Sequence, residues 1–134
     1  MDTPQNSGSA RVSSGIEGLD FILKGGLPEH RLYLIQGDPG TGKTTMGMQF
    51  LLEGERKGER GLYITLSESR DELISVGRSH GWNLDGLDIL DLTVSGDSLT
   101  KETGYTVFHP SEVELDETTK TVLREVERVN PARV

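Results

Sequence analysis

Apolar residues in this chain gather in short runs divided by glycine-rich turns, and between the runs they recur at helical spacing. Residues 31–36, RLYLIQ, form an apolar run of buried-strand type, and LYITLS at 62–67 forms a second. Residues 89–94 are a third strand candidate. Between the first two runs, Gly47, Phe50, Leu51 and Gly54 fall at i, i+3, i+4 and i+7. They give the segment 43–57 a narrow helical face able to lie close on a sheet. Three S-x-x-E pairs (Ser14 with Glu17, Ser69 with Glu72, Ser111 with Glu114) have the form of capping boxes. They predict helices running to about Leu23, to His80 and Gly81, and to Asn130. The last helix carries Leu115, Val122, Val126 and Val129 as its stripe. KGGLPE and GERG turn the chain, and residues 100–110 read as a loop or a ragged strand.

Strands alternating with helices predict an α/β fold, a parallel sheet with helices on its faces and right-handed crossovers. Residues 1–13 read as a flexible polar tail and 14–134 as one unit. The final NPARV reads as a helix stop followed by the first residue of another strand. Three parallel strands and four helices leave a sheet edge uncovered, so the expectation is the N-terminal part of a larger domain.

Composition narrows the class. Apolar residues make up 33% and aromatic residues 5% of 134, lean for an isolated globular unit. The net charge is −8, and residues 61–134 hold −7 of it. An acidic body disfavours nucleic acid as a partner. The absence of cysteine removes disulfides and thiolate metal sites and fits a reducing compartment. No apolar run reaches membrane-spanning length and the N-terminus has no signal-peptide core, which points to a cytoplasmic protein without membrane attachment.

Gly37, Asp38, Pro39, Gly40, Thr41, Gly42, Lys43 and Thr44 satisfy G-x-x-x-x-G-K-[ST], between a strand and a helix as that motif requires. Glycines let backbone N–H groups turn inward as an anion nest, and the following helix adds its free N–H groups and positive dipole end. Lys43 brings a flexible point charge to the β/γ-phosphates. The Thr44 hydroxyl is a hard oxygen ligand suited to Mg²⁺, and Thr45 can contact the α-phosphate. A plain glycine turn is the competing reading. The lack of an N-K-x-D motif favours ATP over GTP.

Cleaving a phosphate bond needs a group that orients water and carboxylates that organise the metal. The second strand ends TLSES, which places Glu68 at the carboxyl edge of the sheet beside the loop, with Ser67 next to it. Glu68 is therefore the candidate catalytic base, against a solvated strand-end charge. Asp91 is a weaker metal-site candidate. No four-residue apolar strand ending in Asp precedes Val134. His80 and Trp82 read as helix-end packing, and Ser67, Ser69, Thr118 and Thr119 as ordinary capping and surface residues.

SSGIEGLDFILKGGLPEHRLYLIQGDPGTGKTTMGMQFLLEG resembles the opening of KaiC-like ATPases of the RecA superfamily, and the resemblance extends over residues 11–134 through GLYITLSES and SHGWNLDGLDILDL. It implies a RecA-like P-loop core binding ATP and Mg²⁺, assembly into hexameric rings with nucleotide between subunits, and in some members autophosphorylation on Ser or Thr. Carried over by position, Gly40 to Thr45 hold the phosphates, Thr44 ligates magnesium, and Ser79 lies near the adenosine. Where KaiC has two adjacent glutamates after the second strand, this chain has Ser67 and Glu68, so the base moves to Glu68 or hydrolysis is weak. His30 stands where the family often has glycine. The expected function is Mg-dependent ATP hydrolysis in the full-length protein, in signalling or regulation, with little turnover from these 134 residues alone. A non-catalytic nucleotide-binding module is the alternative. A metabolite kinase and a DNA recombinase are disfavoured by the missing arginine lid and by the charge.

Overall fold

A computed structural model describes residues 8–93 and 110–134. The expected loop at 100–110 and the Ser111–Glu114 pair fall wholly or largely outside the described residues and side chains. β1 (Arg11–Val12) pairs antiparallel with β2 (Leu27–Pro28), with α1 (Glu17–Ile22) between them. After the glycine-rich loop come α2 (Lys43–Arg56), β3 (Leu62–Thr65), α3 (Arg70–Ser79) and β4 (Asp88–Asp91). β4 lies parallel to β3, with Leu62 opposite Asp88 and Thr65 opposite Asp91, so β3-α3-β4 is a βαβ unit. The closing helix, α4 (Pro110–Val129), packs on both strands.

The core sits between α2, α3 and the strand pair: Met48, Leu51, Leu73, Leu84 and Leu87 are buried together. The predicted α2 stripe faces inward, and Met48 widens it. Met48, Leu51 and Gly54 are buried, Gly47 packs near Tyr63, and Phe50 is half-buried. Gly54 is required by close approach, since a Cβ there would lie 2.7 Å from Cδ and Nε of Arg133.

Arg133 is the cation that ties this corner together. It is 4% exposed, and its Nη1 donates to the carbonyls of Ser13 (2.7 Å) and Phe50 (2.9 Å). Its Nε donates to the Glu59 carboxylate at 3.0 Å, and its guanidinium lies 4.7 Å from the Phe50 ring centre. That bond to Arg133 holds the Glu59 carboxyl below its ordinary range, outweighing partial desolvation. The expected strand start at the end of the chain is visible as a parallel bridge between Gly61 and Arg133, with the Leu62 N–H on the Arg133 carbonyl at 2.9 Å.

Three local expectations change. Residues 31–36 have strand-type side chains but no strand partner among the described residues, and Leu32 and Leu34 are 100% and 89% exposed. An apolar cavity of about 330 Å³, lined by Leu32, Ile35, Leu62, Ile64 and Val134, separates them from β3. The segment expected at 89–94 is β4 at Asp88–Asp91. Ser14 and Glu17 do not form a capping box. Ile16 is the N-cap of α1, and buried Ser14 bonds the Ile16 backbone through its hydroxyl while its N–H donates to Asp20. By contrast, Ser69 and Glu72 form both reciprocal bonds of a capping box on α3.

Candidate phosphate-binding site

The loop leaves residue 36 and enters α2 through Gly40 (φ +81°) and Gly42 (φ +98°), both in the left-handed region. A Cβ at either would meet nothing within 4 Å, so these glycines serve the turn and leave its concave side open. The Thr41 hydroxyl donates to the Asp38 carbonyl at 2.7 Å, closing the turn around Pro39. The Lys43 ammonium donates to the carbonyls of Gly37 (2.7 Å) and Asp38 (2.8 Å), folded over the loop. Gly42 caps α2 without a side-chain acceptor. Among the described residues, the N–H groups of Lys43, Thr44 and Thr45 have no hydrogen-bond acceptor. Donors at a helix N-terminus beside a lysine suit an anion.

Across from the loop, β3 ends against the same helix. The Thr44 hydroxyl donates to Glu68 Oε2 at 2.9 Å, joining the two residues that sequence reasoning assigned to metal and base. Glu68 is held by its own backbone: the Thr65 hydroxyl accepts from its N–H at 3.1 Å and donates to its carbonyl at 2.7 Å. Thr65 is buried, and Tyr63, two residues earlier on the same strand face, has its ring edge beside Gly47 of α2. Burial raises the Tyr63 phenol above its ordinary range and the Glu68 charge adds to this, while an interaction with the Thr44 side chain opposes it. Neither Tyr63 nor Thr65 stood out in the sequence. The signal was their alternation on the strand that leads to Glu68.

Other candidates are not gathered at the loop. Ser67 is exposed. Asp91 is occupied structurally: it accepts from the Arg70 N–H at 2.8 Å and from the Thr93 N–H and hydroxyl, and the Thr93 hydroxyl is the foremost cause holding its carboxyl below the usual range. Ser79 ends α3, about 14 Å of helix from the loop-side Ser69 cap, and its hydroxyl donates to the Val76 carbonyl. His80 stacks on Trp82 with ring centres 4.5 Å apart, the packing role expected of them. Among the described residues no group of three His, Cys, Asp or Glu side chains could hold a metal, and no helix is long and apolar enough to cross a membrane.

The fold has relatives among known proteins. The solved structure of a KaiC-like protein from Pyrococcus horikoshii matches with a TM-score of 0.70 at 31% identity, over 92% of this chain and 50% of that one. A UPF0273 protein of Thermotoga maritima is 45% identical over 75 residues, which are 56% of this chain and 31% of the relative. The circadian clock protein KaiC3 of Synechocystis is 39% identical over 84 residues, 63% of this chain and 17% of that protein. The matched stretch thus spans less than a third of these curated relatives. Residues 12–134 match the family model described as the KaiC ATPase, and with a loop, helix and strand end arranged as above, the chain belongs to the KaiC family of ATPases, built on a RecA-like α/β fold.

Proposed function

We propose that this chain binds ATP with Mg²⁺ at residues 37–45, and that in the full-length protein Glu68 orients the water for hydrolysis. The observation that carries the reading is the contact between Thr44 and Glu68 beside the open loop. The residues present fit such a ligand. The N–H groups opening α2 and the Lys43 ammonium are donors for phosphate oxygens, and Thr44 and Glu68 supply hard oxygens of the kind Mg²⁺ takes. Gly37, Asp38, Pro39, Gly40, Thr41 and Gly42 shape the cradle, Lys43 neutralises phosphate charge, and Thr45 adds a donor. Bound Mg²⁺ supplies charge neutralisation at the phosphates; the protein supplies position.

Residues 14–134 serve in this reading as the N-terminal part of the ATPase domain. Ser79, at the C-terminal end of α3, is the residue this reading places near the adenosine. Replacing Lys43 by Ala in the full-length protein is expected to abolish ATP binding measured by calorimetry. Unchanged affinity would remove the loop from the site.

A second reading is supported by the pairing itself. Glu68 gives one oxygen to Thr44, on the metal side, and Ser67 carries no carboxylate. On that reading the site holds nucleotide and signals its presence without turnover. Hydrolysis by the full-length protein separates the two.

A further inference from the structure

We propose that Thr65 is a positioning residue for hydrolysis, its buried hydroxyl closing the turn at residues 65–68 and so fixing where the Glu68 carboxylate stands against Thr44. The inference rests on the reading above, in which residues 37–45 hold Mg-ATP and Glu68 orients the water.

The path from β3 to Glu68 is not set by packing. It runs through Leu66, which is 70% exposed, and through exposed Ser67. Thr65, just before them, is 4% exposed and is held by the sheet. It stands opposite Asp91 in the parallel pair, and its carbonyl accepts from the Leu92 N–H at 3.0 Å. From that fixed point its hydroxyl reaches over the turn to both backbone groups of Glu68. It accepts from the N–H at 3.1 Å and donates to the carbonyl at 2.7 Å. Asp91 acts on the other side of Glu68, accepting from the Arg70 N–H at 2.8 Å. Glu68 therefore sits between two anchors that face each other across the ladder. Its carboxylate ends 2.9 Å from the Thr44 hydroxyl on α2.

Both bonds need a hydroxyl, which donates and accepts at one atom. Valine has the same shape as threonine and can do neither. Serine keeps both capacities and loses only a methyl group. The substitutions therefore separate the hydroxyl from the volume it fills. A group that orients water must stand in place to within a fraction of an ångström, and a displacement of about 1 Å costs up to about a hundredfold in rate. Thr65 touches neither phosphate nor water in this reading. It acts through the main chain of Glu68, so its loss is felt in turnover and not in the hold on ATP.

The experiment compares phosphate release and ATP binding by the full-length protein and its variants. Thr65→Val is expected to lower kcat about tenfold to a hundredfold and to change ATP affinity by less than about twofold. Thr65→Ser is expected to restore kcat to within about threefold of the wild type. In a Glu68→Gln background, Thr65→Val is expected to slow turnover by no more than a further twofold or so. Amide exchange in the wild-type protein supplies a test that needs no variant, since the Glu68 amide is expected to exchange more slowly than that of Ser67. An unchanged kcat in Thr65→Val overturns the proposal. So does an equal loss of turnover and ATP binding, which would mark a purely structural residue. Full additivity with Glu68→Gln overturns it as well, and so does a Glu68 amide exchanging as fast as that of Ser67. Turnover that survives Glu68→Gln, or a wild-type protein without turnover, would instead overturn the reading of Glu68 on which the proposal rests, and the proposal with it.

Discussion

Replacing Gly54 by Ala tests how rigidly Arg133 is held. At an ordinary helix-interior position this substitution gains about 1 kcal/mol, because alanine loses less backbone freedom on folding. Here the added Cβ would sit 2.7 Å from Cδ and Nε of Arg133. That side chain is 4% exposed and held by the Ser13 and Phe50 carbonyls and the Glu59 carboxylate, so it cannot swing away without giving up bonds. Overpacking of this kind costs about 1–3 kcal/mol, and each lost hydrogen bond about 1 more. The sum outweighs the propensity gain, and Gly54→Ala is expected to destabilise by about 1–3 kcal/mol. In an Arg133→Ala background the obstacle is gone, and the same substitution is expected to stabilise by up to about 1 kcal/mol. The two changes then couple by about 2–4 kcal/mol, far above the scatter of independent sites at about 0.5 kcal/mol. Urea unfolding followed by far-UV circular dichroism on the four proteins completes the cycle. Additivity, or a stabilising Gly54→Ala in the wild-type background, would refute the picture of an immobile arginine.

Three further outcomes are expected. Glu59 has its carboxyl pKa lowered by Arg133, so its contribution to stability is present above the ordinary value of 4.5 and is lost as pH falls through the lower folded value; Arg133→Ala should flatten the acid limb of a stability profile below the ordinary value of 4.5. His30 stands at φ +57°, a left-handed conformation, and its contact with Glu29 is exposed, Nε2 to Oε1 at 3.7 Å. His30→Gly should therefore raise stability by about 0.5 kcal/mol, the left-handed strain less the extra freedom of unfolded glycine, read as a shift in the urea midpoint. Glu68→Gln in the full-length protein should leave ATP binding intact and slow hydrolysis at least about tenfold, or about 1.4 kcal/mol of barrier, in a phosphate-release assay, whereas residues 1–134 alone should show little or no turnover.

What could be read from the sequence depended on how local each cause is. The capping box of Ser69 and Glu72 involves residues three apart and formed as expected. The loop and the position of Glu68 followed from a motif and from the rule that parallel strands present their ends together. The run at 31–36 carries the side chains of a buried strand, but burial requires a neighbour, and an apolar pattern does not name one. Ser14 lost its capping role because Asp20 captured its N–H, a choice between two nearby acceptors that the pattern leaves open. Arg133 had no sequence signal, since its partners lie 74 to 120 positions away.

The unpaired run at 31–36 bears on how the phosphate loop is mounted. On one side the loop continues into α2, anchored by Met48 and Leu51, which are 1% and 3% exposed. On the other it hangs from backbone amides that make no ladder among the described residues. Amide hydrogen exchange should divide there, slow along α2 and fast over 31–36, so the loop is a hinge between a protected and an unprotected segment. Whatever orders the loop must also settle that run, and slowed exchange of its amides would report the ordering from outside the site.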